Sequence, residues 1–293
     1  MIALFRVGSL GVTMARLAMI GGTSLGRDEL RPGLESTGLT VNSLEEVNIE
    51  TPWGDVPMTV VEINAASNGT VASSGSTPTV EKAEHTLFVV QRHHGKEGKA
   101  TPPHKIEFRA NMHALTTCQA SACIAINNVG SLDDNWPPGS VGVVEDVMCL
   151  SGDAWTFSED HAVHVAMTKV LDKELLQVLE QALRDAQPEN GDEVRMRHIY
   201  ARSIGPQFES PAEVVALRRN GATCVGMTFV PEVRLAAERN MPMCAVVIAG
   251  NWGAGMGDVE SHLDGDGVTD MAQAGMAPAW KALAALLDHL GSS

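Results

Sequence analysis

Several absences in the 293-residue chain narrow its function. No stretch of about 18 consecutive apolar residues occurs, which is the length a helix needs to cross a bilayer, so no membrane span is expected. Positive charge is scarce: 21 Lys+Arg stand against 36 Asp+Glu, a formal net charge of −15. An acidic surface repels nucleic acid phosphates and anionic lipid, so neither nucleic acid nor a membrane surface is an expected partner. Cysteine is sparse and scattered. Cys118, Cys123, Cys149, Cys224 and Cys244 are odd in number and form no C-x-x-C pair. Buried, reduced thiols in a cytoplasmic protein are expected, not a disulfide scaffold. The ten histidines lack the spacing of a zinc motif, so no metal site is expected. Gly-x-Gly-x-x-Gly and the Walker loop are both missing. A Ser/His/Asp order and an obvious carboxylate pair are missing too, which leaves covalent and metal catalysis poorly supported.

What is present reads as a folded enzyme-sized domain. The chain is 44% hydrophobic and 19% charged, an ordinary globular balance. The first 22 residues imitate a secretory leader, but Arg6 and Arg16 interrupt the apolar stretch and no small-residue cleavage site follows. The expected organisation is an N-terminal extension over 1–13 and one domain over 14–293. Short apolar runs predict strands at 17–22, 43–54, 85–90, 122–126, 141–147, 200–204, 223–227 and 243–249. Helical spacing predicts helices over 105–120, 172–186, 231–239 and 272–289. Ser210-Pro211-Ala212-Glu213 is a capping-box pattern that starts another helix at 211. The Ser-, Gly- and Thr-rich stretch 66–83 predicts a solvated loop. This alternation predicts an α/β fold: a single domain with a central mixed sheet flanked by helices.

In such sheets ligands bind beyond the carboxyl ends of the strands. Six predicted strand ends carry polar or Gly-rich groups: Gly21-Gly22-Thr23-Ser24, Arg92-His93-His94-Gly95, Asn127-Asn128-Val129-Gly130, Gly205-Pro206-Gln207-Phe208-Glu209, Met227-Thr228 and Asn251-Trp252-Gly253. Singly, each also reads as an ordinary turn, surface charge or cap. Together they supply a phosphate dianion with donors and positive charge from Thr23, Arg92, His93 or His94, the Asn127–Asn128 turn and Thr228. Phe208 adds a stacking face, Glu209 an acceptor and Asn251 an amide. That inventory suits phosphate plus a planar heterocycle.

Longer motifs sharpen this reading. The chain carries Met19-Ile20-Gly21-Gly22-Thr23-Ser24-Leu25, Thr51-Pro52-Trp53-Gly54, Pro102-Pro103-His104-Lys105 and Phe108-Arg109-Ala110-Asn111. It also carries Asn128-Val129-Gly130-Ser131-Leu132, Gly205-Pro206-x-Phe208-Glu209 and Val225-Gly226-Met227-Thr228-x-Val230-Pro231-Glu232-Val233. In these it resembles the trimeric purine nucleoside phosphorylase and 5′-methylthioadenosine phosphorylase family, from about residue 16 to 285, and most of all the methylthioadenosine/methylthioinosine phosphorylase branch. The resemblance implies the nucleoside phosphorylase fold and reversible phosphorolysis of a purine nucleoside, with orthophosphate as co-substrate and no cofactor. By family position Thr23, Arg92, Thr228 and the Asn127–Asn128 backbone hold phosphate, Met227 lies under the ribose, Phe208 packs on the base and Glu209 accepts from a base N–H. The histidine that approaches phosphate is His93 or His94. His164 matches a residue lent to the neighbouring subunit's sugar pocket, which implies a homotrimer. Val268 falls near the 5′ position, where an apolar residue suits a methylthio group. The branch's Asp-x-Asp is replaced by Asn251 and Gly253, and an asparagine there favours 6-oxopurines. The alternatives are an inosine- or guanosine-type enzyme and a catalytically weak nucleoside-binding member of the fold.

Overall fold

The computed structural model describes residues 14–22, 25–64, 84–95, 99–150, 154–169, 171–187, 194–257 and 273–292. The predicted extension 1–13, the loop 66–83, Thr23 and Val268 lie outside them. Nine strands form one mixed sheet: β1 Arg16–Gly21, β2 Thr40–Ile49, β3 Val56–Asn64, β4 Glu84–Gln91, β5 Ala122–Ser131, β6 Val141–Met148, β7 Arg197–Arg202, β8 Cys224–Gly226 and β9 Met243–Trp252. The helices are α1 Arg27–Glu35, α2 Phe108–Thr117, α3 Lys173–Ala186, α4 Pro211–Arg219, α5 Phe229–Glu238 and α6 Met276–Ser292.

The strand order is β2-β3-β4-β1-β5-β8-β7-β6-β9, and β9 also pairs with β5. Five strands therefore close into a ring, and β2, β3, β4 and β1 extend from it as an open wing. β5 is the hinge of this arrangement. One edge takes β1 and then, at Gly130 and Ser131, β8; the other edge takes β9.

Both faces of the central strands are buried, so their sequences are continuous apolar runs whose alternate residues serve different cores. Leu17, Met19, Ile124, Ile126, Val246 and Ile248 face one core, which also takes Leu30, Leu179 and Leu283 from α1, α3 and α6. Ala18, Ile20, Cys123, Ala125, Ala245 and Val247 face the other, with Met112 and Val233 from α2 and α5. The sheet is thus sandwiched between two helical layers.

Several predicted bounds shift. β5 and β9 run past their expected ends, so Asn127, Asn128 and Asn251 lie within strands and the expected Asn127–Asn128 turn is corrected to extended backbone. The strand expected over 43–54, ending in a turn, is β2 and the connection through residues 50–55; β2 starts earlier, at Thr40, and β3, antiparallel to it, was not anticipated. α1 was not anticipated.

Candidate active site

Strand register assembles the site. β1 runs parallel to β4 and β5, and β5 parallel to β9, so their carboxyl ends share one rim. Gly21 pairs with Gln91, and the Arg92 N–H donates to the Gly21 carbonyl at 2.9 Å, which sets Arg92 beside the Gly22 turn. β8 is antiparallel to β5, with Val225 opposite Gly130. The chain leaving β8 therefore runs back along β5 and brings Thr228 to Asn127, whose Oδ1 accepts from the Thr228 hydroxyl at 3.5 Å. A bulge shifts the β5–β9 register so that Asn251 stands beside Gly130.

A cavity opens where these ends meet. Its walls include Gly22, Arg92, His93, Asn128, Phe208, Glu209, Met227, Thr228 and Asn251. Eight of the residues predicted from sequence thus meet at one place. Asn127 lies just beneath, 2% exposed. Its Nδ2 is buried without a partner among the described residues, an unsatisfied donor next to Thr228.

Arg92 is the cationic centre. It is 2% exposed, and its guanidinium is held by two partners. Nε and Nη2 donate to the carboxylate of Glu232, the latter at 2.9 Å, and Nη1 donates to the Ile126 carbonyl at 3.3 Å. Gly22 leaves Nη1 uncovered on the cavity side, because a Cβ there would lie 3.6 Å away and occupy that space.

The paired histidines divide. His93 lines the cavity and donates from Nδ1 to the Thr101 carbonyl at 2.8 Å, since a carbonyl only accepts. Burial, reinforced by the Arg92 charge, holds His93 below the ordinary histidine range, while the Thr101 bond opposes this. The neutral ring therefore presents Nε2 as an acceptor. His94 does not line the cavity; its Nε2 lies 2.7 Å from Asn111 Oδ1, and Asn111 Nδ2 donates to the Arg92 carbonyl at 3.1 Å. His94 thus braces the Arg92 turn from behind.

Thr228 caps α5. Its N–H and that of Phe229 both donate to the Tyr200 hydroxyl, at 3.2 and 3.4 Å. Tyr200 is fully buried, and burial pushes its phenol up, so it acts as a neutral acceptor that fixes the start of α5.

Another part of the cavity lining comes from residues 203–210 and β9. Gly205 has φ +71° and any Cβ on it would lie 2.5 Å from Met227 Sδ, so the loop can lie on Met227 only as glycine. Phe208 is 48% exposed and Glu209 half-buried. Asn251 Nδ2 donates to the Trp252 carbonyl at 2.7 Å.

His164 does not line the cavity. It sits exposed in the irregular segment 154–166, between the exposed Val163 and Val165. Sequence reading assigned no part to Glu232, Tyr200 or Asn111, though the first and last fall inside quoted motifs. Among the described residues, no group of three His, Cys, Asp or Glu side chains is arranged to hold a metal ion. No helix there is long and apolar enough to cross a membrane.

A probable S-methyl-5′-thioinosine phosphorylase from Methanopyrus kandleri is 30% identical over 253 residues, covering 86% of this chain and 84% of that one. A probable 6-oxopurine nucleoside phosphorylase from Thermococcus kodakarensis is 31% identical over 252 residues, covering 83% and 81%. In fold, the chain is similar to a methylthioadenosine phosphorylase from Schistosoma mansoni solved in complex with adenine, with TM-score 0.74, 22% identity and 95% and 93% coverage. The family model described as Phosphorylase superfamily matches residues 43–288, and the chain belongs to that superfamily.

Proposed function

We propose that this protein phosphorolyses the N-glycosidic bond of 5′-methylthio purine nucleosides, with 6-oxopurines preferred. It would release the free purine and 5-methylthioribose 1-phosphate, using orthophosphate as co-substrate and no cofactor. The observation that carries this is the buried Arg92 guanidinium in the lining of the same cavity as Phe208, Glu209 and Asn251. A cation, an aromatic face, a carboxylate and an amide lining one cavity fit an anion attacking the glycosidic carbon of a bound purine nucleoside.

The chemistry follows from the donors. Arg92, Thr228 and the orphaned Asn127 Nδ2 stabilise the phosphate dianion, and Thr23 joins them by family position. Hydrogen phosphate keeps one P–OH, which the neutral His93 Nε2 accepts. The C1′–N9 bond breaks as a bond forms between C1′ and a phosphate oxygen. The intervening oxocarbenium-like sugar is stabilised by the dianion below it, in a site already organised around that charge. The purine departs with the bonding electrons and takes up a proton. Asn251 donates to N7 or O6, Glu209 accepts from a ring N–H, and Phe208 packs on the base. Met227 supports the ribose, and Val268 is assigned to the 5′ substituent. The names of the two relatives, one a thioinosine and one a 6-oxopurine enzyme, support the oxopurine preference.

Purified protein supplied with phosphate and methylthioinosine, inosine, guanosine or methylthioadenosine tests this by base release. Methylthioinosine should react with the highest kcat/KM, and no base should appear without phosphate. Equal turnover in phosphate-free buffer would instead mean a hydrolase. Highest activity on inosine or guanosine would move the 5′ assignment to a hydroxyl. Binding without turnover would mean a nucleoside-binding protein.

The active form is proposed to be a homotrimer in which His164 reaches a neighbour's sugar pocket. Its exposure beside Val163 and Val165, away from its own cavity, supports this. Light scattering should give three times the 31.1 kDa chain mass, and a value near the chain mass would overturn it. The cysteines fit a reducing, cytoplasmic setting in purine salvage: no disulfide joins them among the described residues, and burial raises the thiols of Cys118, Cys123, Cys224 and Cys244.

A further inference from the structure

We propose that Glu232 is a positioning residue for phosphate: it acts through Arg92, by turning the guanidinium edge that faces the cavity. This rests on the reading of Arg92 as a phosphate ligand.

Glu232 lies in the first turn of α5 and is 0% exposed. It touches neither the cavity nor, in the proposed reaction, any reacting atom. Its two carboxylate oxygens take Nε and Nη2 of Arg92 side-on. A guanidinium is planar, so fixing that edge fixes the direction of the remaining N–H groups. Ile126 takes one hydrogen of Nη1. One hydrogen each on Nη1 and Nη2 is left, on the edge facing away from Glu232.

Stability does not explain the pair. Two apolar side chains of similar volume would fill the same space without desolvating two charges. Burial indeed raises the Glu232 carboxyl above its ordinary range, with Arg92 opposing. What the carboxylate supplies is direction, and it does so from rigid backbone. Tyr200 fixes the start of α5, and the same helix start presents Thr228. One element therefore sets two of the proposed phosphate ligands, one directly and one through Glu232. A neutral amide at 232 would place its NH2 against one of the Arg92 donors, and the plane would turn.

The test is steady-state kinetics on Glu232→Gln, Glu232→Asp, Arg92→Gln and the double variant Arg92→Gln/Glu232→Gln, with folding checked by circular dichroism. In Glu232→Gln, KM for phosphate should rise about tenfold or more, the order that outer partners of a bound ion contribute. The nucleoside KM, and kcat at saturating phosphate, should hold. Glu232→Asp keeps the charge but withdraws it by one methylene; it should raise the phosphate KM in the same sense, and it carries the test if the Gln variant fails to fold. In the Arg92→Gln background, Glu232→Gln should add nothing further, because its effect travels through Arg92. An unchanged or lower phosphate KM in folded Glu232→Gln, with a raised one in Arg92→Gln, overturns this inference alone: the carboxylate would then be a bulk counter-charge. A full additional rise in the double variant overturns it as well. An unchanged phosphate KM in Arg92→Gln overturns the phosphate-site reading itself.

Discussion

At Asn251 a single side-chain amide stands where a purine's C6 edge is proposed to lie. One N–H already goes to the Trp252 carbonyl at 2.7 Å, which fixes the amide plane and leaves one N–H and the Oδ1 for a ligand. That N–H matches O6 or N7 of an oxopurine. Asn251→Asp removes both donors, sets a carboxylate against the Trp252 carbonyl, and favours a base that brings its own N–H, such as a 6-aminopurine. A buried donor–acceptor mismatch costs about 1–3 kcal/mol, so the ratio of kcat/KM for oxopurine over aminopurine nucleosides should fall roughly tenfold or more. An unchanged ratio would take Asn251 out of base selection. The residue was legible in sequence because it ends a strand and is polar where its neighbours are apolar. Arg92, His93, Glu209 and Thr228 were legible for a similar reason, as polar groups just past predicted strands; Phe208 was read as a stacking face and Met227 from the family motif. Glu232 was not. In sequence it is an acidic residue in a helix's first turn, where solvent-exposed carboxylates are common. Only the closure of the sheet places Arg92 against it.

The elements with clean periodicity or chemical punctuation matched their predicted positions. Asp172 accepts from the N–H groups of Glu174 and Leu175 and starts α3. Ser210 and Glu213 form the reciprocal capping box that starts α4 directly after Phe208 and Glu209, so the cap also anchors the loop that carries them. The failures have identifiable causes. α1 contains Pro32 and Gly33, both poor helix formers, yet tertiary packing overrides propensity. A Cβ on Gly33 would fall inside the Trp280 indole of α6, so the glycine is what lets the two helices approach. β5 was expected to stop at Ile126 because Asn127-Asn128 reads as a turn in isolation. It continues because β9 runs alongside as far as Ser131 and β8 joins at Gly130. The predicted turn and the actual strand both leave Asn127 and Asn128 near the carboxyl end of β5, which is why a wrong local assignment still brought Asn128 to the cavity.

At the scale of the whole molecule, closure of the ring is a long-range property and was not readable from local pattern, but it has a consequence for pH. The closure buries His198 of β7 completely, stacked on Trp136 with ring centroids 3.9 Å apart. Nε2 lies 3.2 Å from the Arg195 carbonyl, so it carries the proton, and Nδ1 accepts from the Thr223 hydroxyl at 3.2 Å. The Thr223 oxygen in turn accepts from the Ile199 N–H at 2.9 Å. Protonating Nδ1 would set hydrogen against hydrogen in this chain. Burial pushes His198 down to about 4, against 6.5 for the free side chain. Between those values the unfolded chain binds a proton that the native one refuses. Stability is therefore full above about pH 6.5 and falls as pH drops toward 4. From pH 6.5 to 5 the loss from this one group is on the order of 2 kcal/mol. Burial lowers His85, His93 and His113 as well, so their contributions have the same sign. The net charge of −15 works the other way, since acidification relieves repulsion among carboxylates. Free carboxyl groups ordinarily titrate near pH 4, below this window, and four lowered histidines outnumber the one raised carboxyl, Glu232, so the histidine contribution dominates from 6.5 to 5. Urea midpoints measured across that range should fall with pH, and His198→Gln should flatten the fall even if its midpoint at pH 7 starts lower. A pH slope as steep in the variant as in the parent protein would show that the proton is taken up elsewhere.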